Sequence, residues 1–207
     1  ASQGWKVPSS LRFVAVGGSK VSKKLMQAAH QAGIPAFEGY GLSECVSVVS
    51  LNAVAAHLTG SCGRPLPGLE VTLEQGEIIV MGNAMLGYVN EPASWYPDRI
   101  ATGDLGCFDD AGFLHIEGRK KNLLISSYGR NISPEWVESE LLANPMFAEV
   151  ILLGDAKPYC VALIWLREDN SIGVTETNSR INDWIRKVNV GLPDYAQIQA
   201  WHRLSEP

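Results

Sequence analysis

Cysteine is scarce in this sequence and its net charge is small, and both features limit what the protein can be. The 207 residues include four cysteines, which are widely scattered and form no Cys-x-x-Cys pair. Disulfide frameworks and zinc sites usually show tighter spacing, so we interpret these cysteines as reduced structural thiols of a cytoplasmic protein. A formal net charge of −5 gives no electrostatic reason to expect nucleic acid or an anionic membrane as a partner.

Long apolar runs are missing as well. No stretch approaches the length needed to span a bilayer, and the first residues lack the apolar core of a signal peptide, so we expect neither element. Internal repeats and low-complexity tracts are also absent from the sequence. A chain of this length can bury a sizeable core, and we expect it to contain more than one domain.

The first sixty residues have the pattern of a β-α-β unit. An apolar strand is predicted over Leu11 to Val16, a helix over Val21 to Ala32, and a second strand over Ile34 to Phe37. Strands joined in this way pair in parallel and place their ligand loops at one edge of the sheet. Gly17-Gly18-Ser19 and Gly39-Tyr40-Gly41 follow the two strands, so one ligand could touch both loops.

Residues 60–117 show a different pattern, typical of short antiparallel strands. Apolar and polar residues alternate over Leu69 to Leu73, Gln75-Gly76 is suited to a turn, and Glu77 to Met81 completes a hairpin. Asp109 to Gly112 predicts a second hairpin turn. We expect a small antiparallel β-barrel in this segment.

The residues from Gly118 onwards predict a separate small α+β domain. Ser133 is placed to cap the amino terminus of a helix, and two apolar segments, Val150 to Leu153 and Val161 to Leu166, predict paired strands. Apolar residues at helical spacing over Ile181 to Val188 predict a last helix.

Three short motifs carry residues suited to nucleotide chemistry. In Tyr40-Gly41-Leu42-Ser43-Glu44, an aromatic ring could stack on a base, a hydroxyl could bind phosphate, and a carboxylate could hold Mg²⁺. The others are Thr102-Gly103-Asp104 and Gly118-Arg119-Lys120-Lys121. Each also has a plainer interpretation: Tyr40 as a packed surface aromatic, Glu44 as a helix cap, Asp104 as a turn residue, and the basic cluster as a solvated charge run.

Taken together and in this order, the motifs resemble those of the adenylate-forming (AMP-binding) enzymes, a superfamily that includes acyl-CoA synthetases, luciferases and peptide-synthetase adenylation domains. Tyr128-Gly129-Arg130-Asn131-Ile132-Ser133-Pro134 extends the match. The Gly-Arg-Lys-Lys form, with Trp95-Tyr96 ahead of Thr102, most resembles long-chain acyl-CoA synthetases. The resemblance implies an α/β plus α+β fold. Residues 1–117 would be the last part of the large adenylation domain, and residues 118–207 the small lid domain.

The resemblance also implies a role for each matching residue. The residues that would contact ATP or AMP are Gly17, Gly18 and Ser19 beside the adenine, Gly39, Tyr40 and Gly41 around its ring, Ser43 on the α-phosphate, and Asp104 and Arg119 on the ribose. Glu44 would ligate Mg²⁺. Lys121 would be the hinge about which the small domain rotates, and Gly129 would give room to the pantetheine arm of coenzyme A, with Arg130 assisting.

The implied reaction joins a fatty acid to coenzyme A with ATP, through an acyl-adenylate, and releases AMP and pyrophosphate. Two parts of the superfamily pattern are not found: the phosphate loop rich in Ser, Thr and Gly, and a final lysine whose loop would begin near Ser205-Glu206-Pro207. We therefore expect a carboxyl-terminal piece of a larger synthetase that is inactive alone and self-associates through exposed apolar surface. Peripheral membrane contact of the larger protein is left open.

Two alternatives remain open at this stage. The first keeps the adenylation chemistry but has an aryl or amino acid as the substrate and the thiol of a carrier protein as the acceptor. The second is a nucleotide-binding or interaction module without catalysis, since the two lysines of the superfamily pattern are missing.

Overall fold

The computed structural model describes residues 6–167 and 174–204, and the chain divides into two compact units, Ala1–Lys121 and Asn122–Pro207. The boundary predicted at residue 118 lies slightly earlier, within the last strand of the first unit. Residues 205–207, near which the final lysine loop was expected to begin, lie outside the described residues. No helix in the described ranges is long and apolar enough to cross a membrane.

The first unit begins with the predicted β-α-β element. It consists of β1 (Val14–Val16), α1 (Lys23–Gln31) and β2 (Ala36–Tyr40), and β1 pairs with β2 in parallel. Strand β1 is shorter than predicted because the N–H of Leu11 bonds to the carbonyl of Pro8, which folds the start of the apolar run into a turn.

Two short strands extend this sheet in a way that the sequence pattern did not predict. Strand β3 (Ser50–Leu51) pairs antiparallel with β2, and β4 (Arg64–Pro65) pairs antiparallel with β3. The sheet therefore has the order β1-β2-β3-β4, with the parallel pair at one side. Each of the two added strands is too short for alternation to be visible in the sequence.

The middle segment forms a second sheet of four antiparallel strands. These are β5 (Glu70–Glu74), β6 (Glu77–Met81), β7 (Arg99–Phe108) and β8 (Leu114–Arg119), in that order. Both predicted hairpins are present, but the predicted barrel is wrong in one respect, since the described sheet is open. Its apolar face, which includes Ile78 and Leu114, packs on Cys45 and Val49 instead of closing on itself.

The second unit is the predicted α+β domain. It contains β9 (Leu124–Ile125), β10 (Asn131–Ile132), α2 (Pro134–Leu142), β11 (Phe147–Leu153), β12 (Cys160–Leu166), α3 (Val174–Asn189) and β13 (Ile198–Arg203). Strands β11 and β12 pair with each other as predicted, and their pairing is antiparallel. Strand β13, which was not predicted, adds in parallel to β12.

Side chains from both helices and the three long strands form the core of this unit, among them Val137, Phe147, Ile164 and Ile181. Ser133 is the N-cap residue of α2 as predicted, although its hydroxyl donates to the Glu135 side chain and makes no capping bond to the backbone. Together the two units confirm the mixed α/β and α+β class.

Candidate functional site

The glycine-containing loop after β1 lies beside the carboxyl end of β2. A Cβ atom placed on Gly17 would lie 3.3 Å from the carbonyl oxygen of Gly39 in β2, so the loop and the strand approach each other closely. A Cβ on Gly41 would lie 1.7 Å from the carbonyl oxygen of Ser47, which excludes any larger residue there. Gly18 has a positive φ of 87°, and Ser19 beside it is exposed. The two predicted segments therefore lie side by side, but Gly39 and Tyr40 belong to β2, which extends beyond the predicted end at Phe37, and only Gly41 follows the strand.

Tyr40 and Asp104, which are 64 positions apart, are joined directly by a hydrogen bond. Tyr40 is the last residue of β2, and its phenol donates to Oδ2 of Asp104 on β7 over 2.6 Å. Burial raises the pKa of Tyr40 far above its ordinary value, and the bond to Asp104 raises it further. The phenol consequently stays protonated and remains a donor at physiological pH.

Arg119 contacts the other oxygen of the same carboxylate. Asp104 and Arg119 are directly opposite in the register of β7 and β8, and Nε of Arg119 lies 2.8 Å from Oδ1. The Asp104 side chain is 8% exposed, whereas that of Arg119 is 53% exposed. Thr102 fixes the backbone here, since its hydroxyl donates to the carbonyl of Ile78 over 2.9 Å and accepts from the Asp104 N–H over 3.1 Å.

Glu77 bonds to both of the motifs that carry Asp104 and Arg119. One carboxylate oxygen accepts from the N–H of Gly103 over 3.0 Å, and the other lies 2.9 Å from Nζ of Lys120. The N–H of Lys120 donates in turn to the carbonyl of Gly103 over 2.9 Å. The bond from Lys120 holds the pKa of Glu77 below its ordinary value. Sequence reasoning missed Glu77, because a glutamate at the start of a hairpin strand has no distinguishing signal.

Glu44 lies in a 3₁₀ turn, Ser43–Cys45, that follows β2. The phenol of Tyr88 donates to its Oε1 over 2.6 Å, and the N–H of Met85 donates to its backbone carbonyl over 2.8 Å. The bond from Tyr88 is the main cause that lowers the pKa of Glu44, and the charge of Arg119 adds a smaller effect. Glu44 is therefore ionised at neutral pH. Sequence reasoning also missed Tyr88, since nothing local to residues 85–90 points to a partner 44 positions away.

These residues can be compared with what AMP and Mg²⁺ require. A half-buried aromatic ring with glycines on both sides of it and a nearly buried carboxylate suit an adenine and a ribose, respectively. No group of three metal-ligating side chains occurs within the ranges that the structure describes. Glu44 alone still fits Mg²⁺, because this ion is usually held by one or two carboxylates together with water and substrate phosphates.

The remaining predicted site residues lie outside this hydrogen-bonded cluster. Ser43 is exposed in the 3₁₀ turn, and Lys121 is exposed in the turn that ends the first unit. Gly129 belongs to the second unit, where it has a positive φ of 71° with open space where a Cβ would be. The guanidinium of Arg130 lies 5.9 Å from the ring centroid of Tyr195. The roles proposed for these residues stay predictions.

Comparison with known proteins adds independent observations. A family model described as AMP-binding enzyme matches residues 2–89, and one described as AMP-binding enzyme C-terminal domain matches residues 121–205. A long-chain-fatty-acid–CoA ligase of Mycobacterium tuberculosis is 34% identical over 175 residues, which cover 82% of this chain and 29% of that protein. A 2-succinylbenzoate–CoA ligase of Bacillus subtilis is 36% identical over 166 residues, which cover 72% of this chain and 34% of that protein.

Solved structures give a similar result. The O-succinylbenzoate coenzyme A synthetase of Bacillus subtilis, in complex with ATP and a magnesium ion, matches with a TM-score of 0.75 and 30% sequence identity. The match covers 97% of this chain and 44% of that chain. The chain thus spans 29% and 34% of the length of the two curated relatives.

Proposed function

The chain belongs to the adenylate-forming, AMP-binding enzyme superfamily, and from this we propose that it is the carboxyl-terminal portion of an ATP-dependent, AMP-forming acid–CoA ligase. In the proposed reaction, an acyl carboxylate attacks the α-phosphate of ATP and pyrophosphate leaves. The thiol of coenzyme A then attacks the acyl carbon, and AMP leaves. Similarity to two kinds of CoA ligase, each at more than 30% identity, supports the proposal.

The observation that carries the proposal is the convergence of Tyr40, Asp104 and Arg119. These residues come from three separate motifs, and two bonds of 2.6 and 2.8 Å join them in one cluster. The Tyr40 ring would stack on adenine, and the Asp104 carboxylate would accept from ribose hydroxyls. Arg119, which is half exposed, would add donors to the same end of the nucleotide.

Glu44 and Ser43 would act on the phosphates. The ionised carboxylate of Glu44 would hold Mg²⁺, which would supply positive charge to the phosphate oxygens as charge develops on them. The exposed hydroxyl of Ser43 would donate to the α-phosphate. Gly129 of the second unit would leave room for the pantetheine arm, and Lys121, the last residue of the first unit, would be the hinge residue.

For the acyl substrate we propose a medium or long fatty acid, supported by the fatty-acid ligase match and by the Trp95-Tyr96 and Gly118 to Lys121 sequences. An aryl acid is the second candidate, because 2-succinylbenzoate–CoA ligases are as similar in sequence as the fatty-acid ligase. A carrier-protein thiol instead of coenzyme A, or an interaction module without catalysis, are the remaining alternatives.

Nucleotide binding can be tested on the chain itself. We expect AMP to bind in isothermal titration calorimetry, and Asp104→Ala to weaken binding by about tenfold, since hydrogen bonds to a charged group are lost. Asp110→Ala is the matched control, because Asp110 is exposed in the hairpin turn between β7 and β8. Equal affinities for the two variants would contradict the assignment of Asp104.

The reaction is tested on the full-length protein that the complete reading frame encodes. Pyrophosphate release is measured with palmitate and with 2-succinylbenzoate, and thioester formation with coenzyme A and with a phosphopantetheinylated carrier protein. We expect release with palmitate and transfer to free coenzyme A. Pyrophosphate release only with 2-succinylbenzoate would favour the aryl substrate. Thioester formation only on the carrier protein would favour that acceptor. No pyrophosphate release with either acid would favour the interaction module without catalysis.

A further inference from the structure

We propose that the Tyr40 hydroxyl is a positioning group that orients the Asp104 carboxylate for a vicinal diol, so that the site selects ribonucleotides over nucleotides lacking both ribose hydroxyls. This inference rests on the proposed function, because it takes AMP as the ligand. It goes further in giving Tyr40 two separable tasks: its ring would face the base, and its hydroxyl would act only through Asp104.

The Asp104 carboxylate has acceptor positions left over for a ligand. An ionised carboxylate offers about four acceptor positions, two on each oxygen. Tyr40 takes one position on Oδ2, and Arg119 takes one on Oδ1. One position is then left on each oxygen, and these two positions match a cis-diol that donates one O–H to each oxygen.

The Asp104 carboxylate is also held in one orientation. Bonds to both oxygens fix the rotation of the carboxylate plane, which a single bond would leave free. The Asp104 N–H also donates to the Thr102 hydroxyl over 3.1 Å, which fixes the backbone of the same residue. Because the side chain is 8% exposed, water has little access to compensate for a lost donor. Removal of the Tyr40 hydroxyl would therefore affect the orientation of the carboxylate.

The hydroxyl and the ring of Tyr40 can be separated by substitution. Phenylalanine keeps the ring and removes only the oxygen, so Tyr40→Phe leaves stacking on adenine in place. A ligand without ribose hydroxyls makes no use of the oriented carboxylate. Its affinity should therefore depend on the ring of residue 40 and not on the hydroxyl.

The test is a cycle that combines Tyr40→Phe with two ligands, AMP and 2′,3′-dideoxy-AMP, in calorimetric titrations of the chain. We expect Tyr40→Phe to weaken the binding of AMP by about tenfold and to leave the affinity for dideoxy-AMP nearly unchanged. Tyr159→Phe, at an exposed tyrosine of the second unit, is the control and should change neither affinity. Equal losses for both ligands, or no loss for either, would overturn the inference while the proposed function stands.

A measurement without ligand tests the bond itself. The ¹³Cζ resonance of Tyr40, assigned by its disappearance in Tyr40→Phe, should shift in Asp104→Asn, which exchanges the carboxylate for an amide. An unmoved resonance would overturn the inference whether or not nucleotide binds. If the wild-type chain binds neither nucleotide, the proposed nucleotide site is overturned, and the inference with it.

Discussion

Asp104 and Arg119 face each other on neighbouring antiparallel strands, with Nε of Arg119 2.8 Å from Oδ1 of Asp104. The pair joins a nearly buried carboxylate to a half-exposed guanidinium, so it is neither a surface salt bridge nor a fully buried one. Its loss would leave a poorly solvated negative charge with one partner fewer. The energetic consequence can be measured on the chain without any ligand.

We expect Arg119→Ala to lower the free energy of unfolding by about 1 kcal/mol, after allowing for the solvent screening of the exposed partner. Urea denaturation gives this value. Arg99→Ala is the control, because Arg99 pairs with Glu74 over 2.6 Å while both side chains are about half exposed. That variant should lower the free energy of unfolding by no more than about 0.5 kcal/mol. A larger loss for Arg99→Ala than for Arg119→Ala would contradict this account.

The hydrogen bond from Tyr88 to Glu44 predicts a pH effect. The pKa of Glu44 lies below its ordinary value of 4.5, so the ionised carboxylate stabilises the fold above that pH. This contribution is lost as the pH falls through the folded-state pKa. Tyr88→Phe should raise the Glu44 pKa toward 4.5 and make stability below pH 4.5 less dependent on pH.

Titration of the Glu44 side-chain carbon by NMR measures this pKa directly. Tyr96→Phe is the control, since Tyr96 is an exposed tyrosine of the same segment. An unchanged Glu44 pKa in Tyr88→Phe would show that the phenol does not bond to Glu44 in solution.

The tight turn after β2 predicts a strong packing effect at Gly41. A methyl group on Gly41 would collide with the backbone of Ser47 at 1.7 Å, whereas one on Gly17 would lie 3.3 Å from Gly39. We expect Gly41→Ala to lower the free energy of unfolding by about 1–3 kcal/mol, because backbone atoms must move to make room for the methyl group. Gly17→Ala should lower it by less. Thermal unfolding of both variants ranks them, and the reverse ranking would refute the described turn.

The exposed edge of β1 predicts self-association of the chain. Among the residues that the structure describes, β1 ends the order β1-β2-β3-β4 and has no partner on its outer edge, and Leu11 and Phe13 just before it are exposed. Unpaired strand edges recruit other chains, and we expect a second copy to pair here. Sedimentation should show dimers at high concentration, fewer dimers for Ala15→Lys, and no change for Ala111→Lys in the hairpin turn. A strictly monomeric wild-type chain would contradict this expectation.

Local patterns were sufficient to predict the elements whose signals are continuous in sequence. The parallel pair β1–β2 follows from a β-α-β pattern, and the β5–β6 hairpin follows from alternation around Gln75-Gly76. The open form of the second sheet was not predictable, because it depends on packing against Cys45 and Val49 from a distant segment. Strand β13 was missed because Trp201, His202 and Arg203 break the apolar alternation.

In the candidate site, too, some residues could be predicted from local sequence and others could not. Tyr40, Asp104 and Arg119 were found from their motifs, and the structure brings them together. Tyr88 and Glu77 were missed because their contacts with Glu44, Gly103 and Lys120 are set by tertiary structure alone. Hydrogen bonds between side chains far apart in sequence leave no periodic signal, so pattern reasoning has no access to them.

Glu77 touches no predicted nucleotide contact, yet its two oxygens anchor both sides of the turn-and-strand pair that presents Asp104 and Arg119. Lys120, which directly precedes the last residue of the first unit, is bonded to Glu77 through its Nζ and to the carbonyl of Gly103 through its N–H. The segment next to the unit boundary and the strand that carries Asp104 therefore share Glu77 as a common support, so a substitution of Glu77 would disturb both at once.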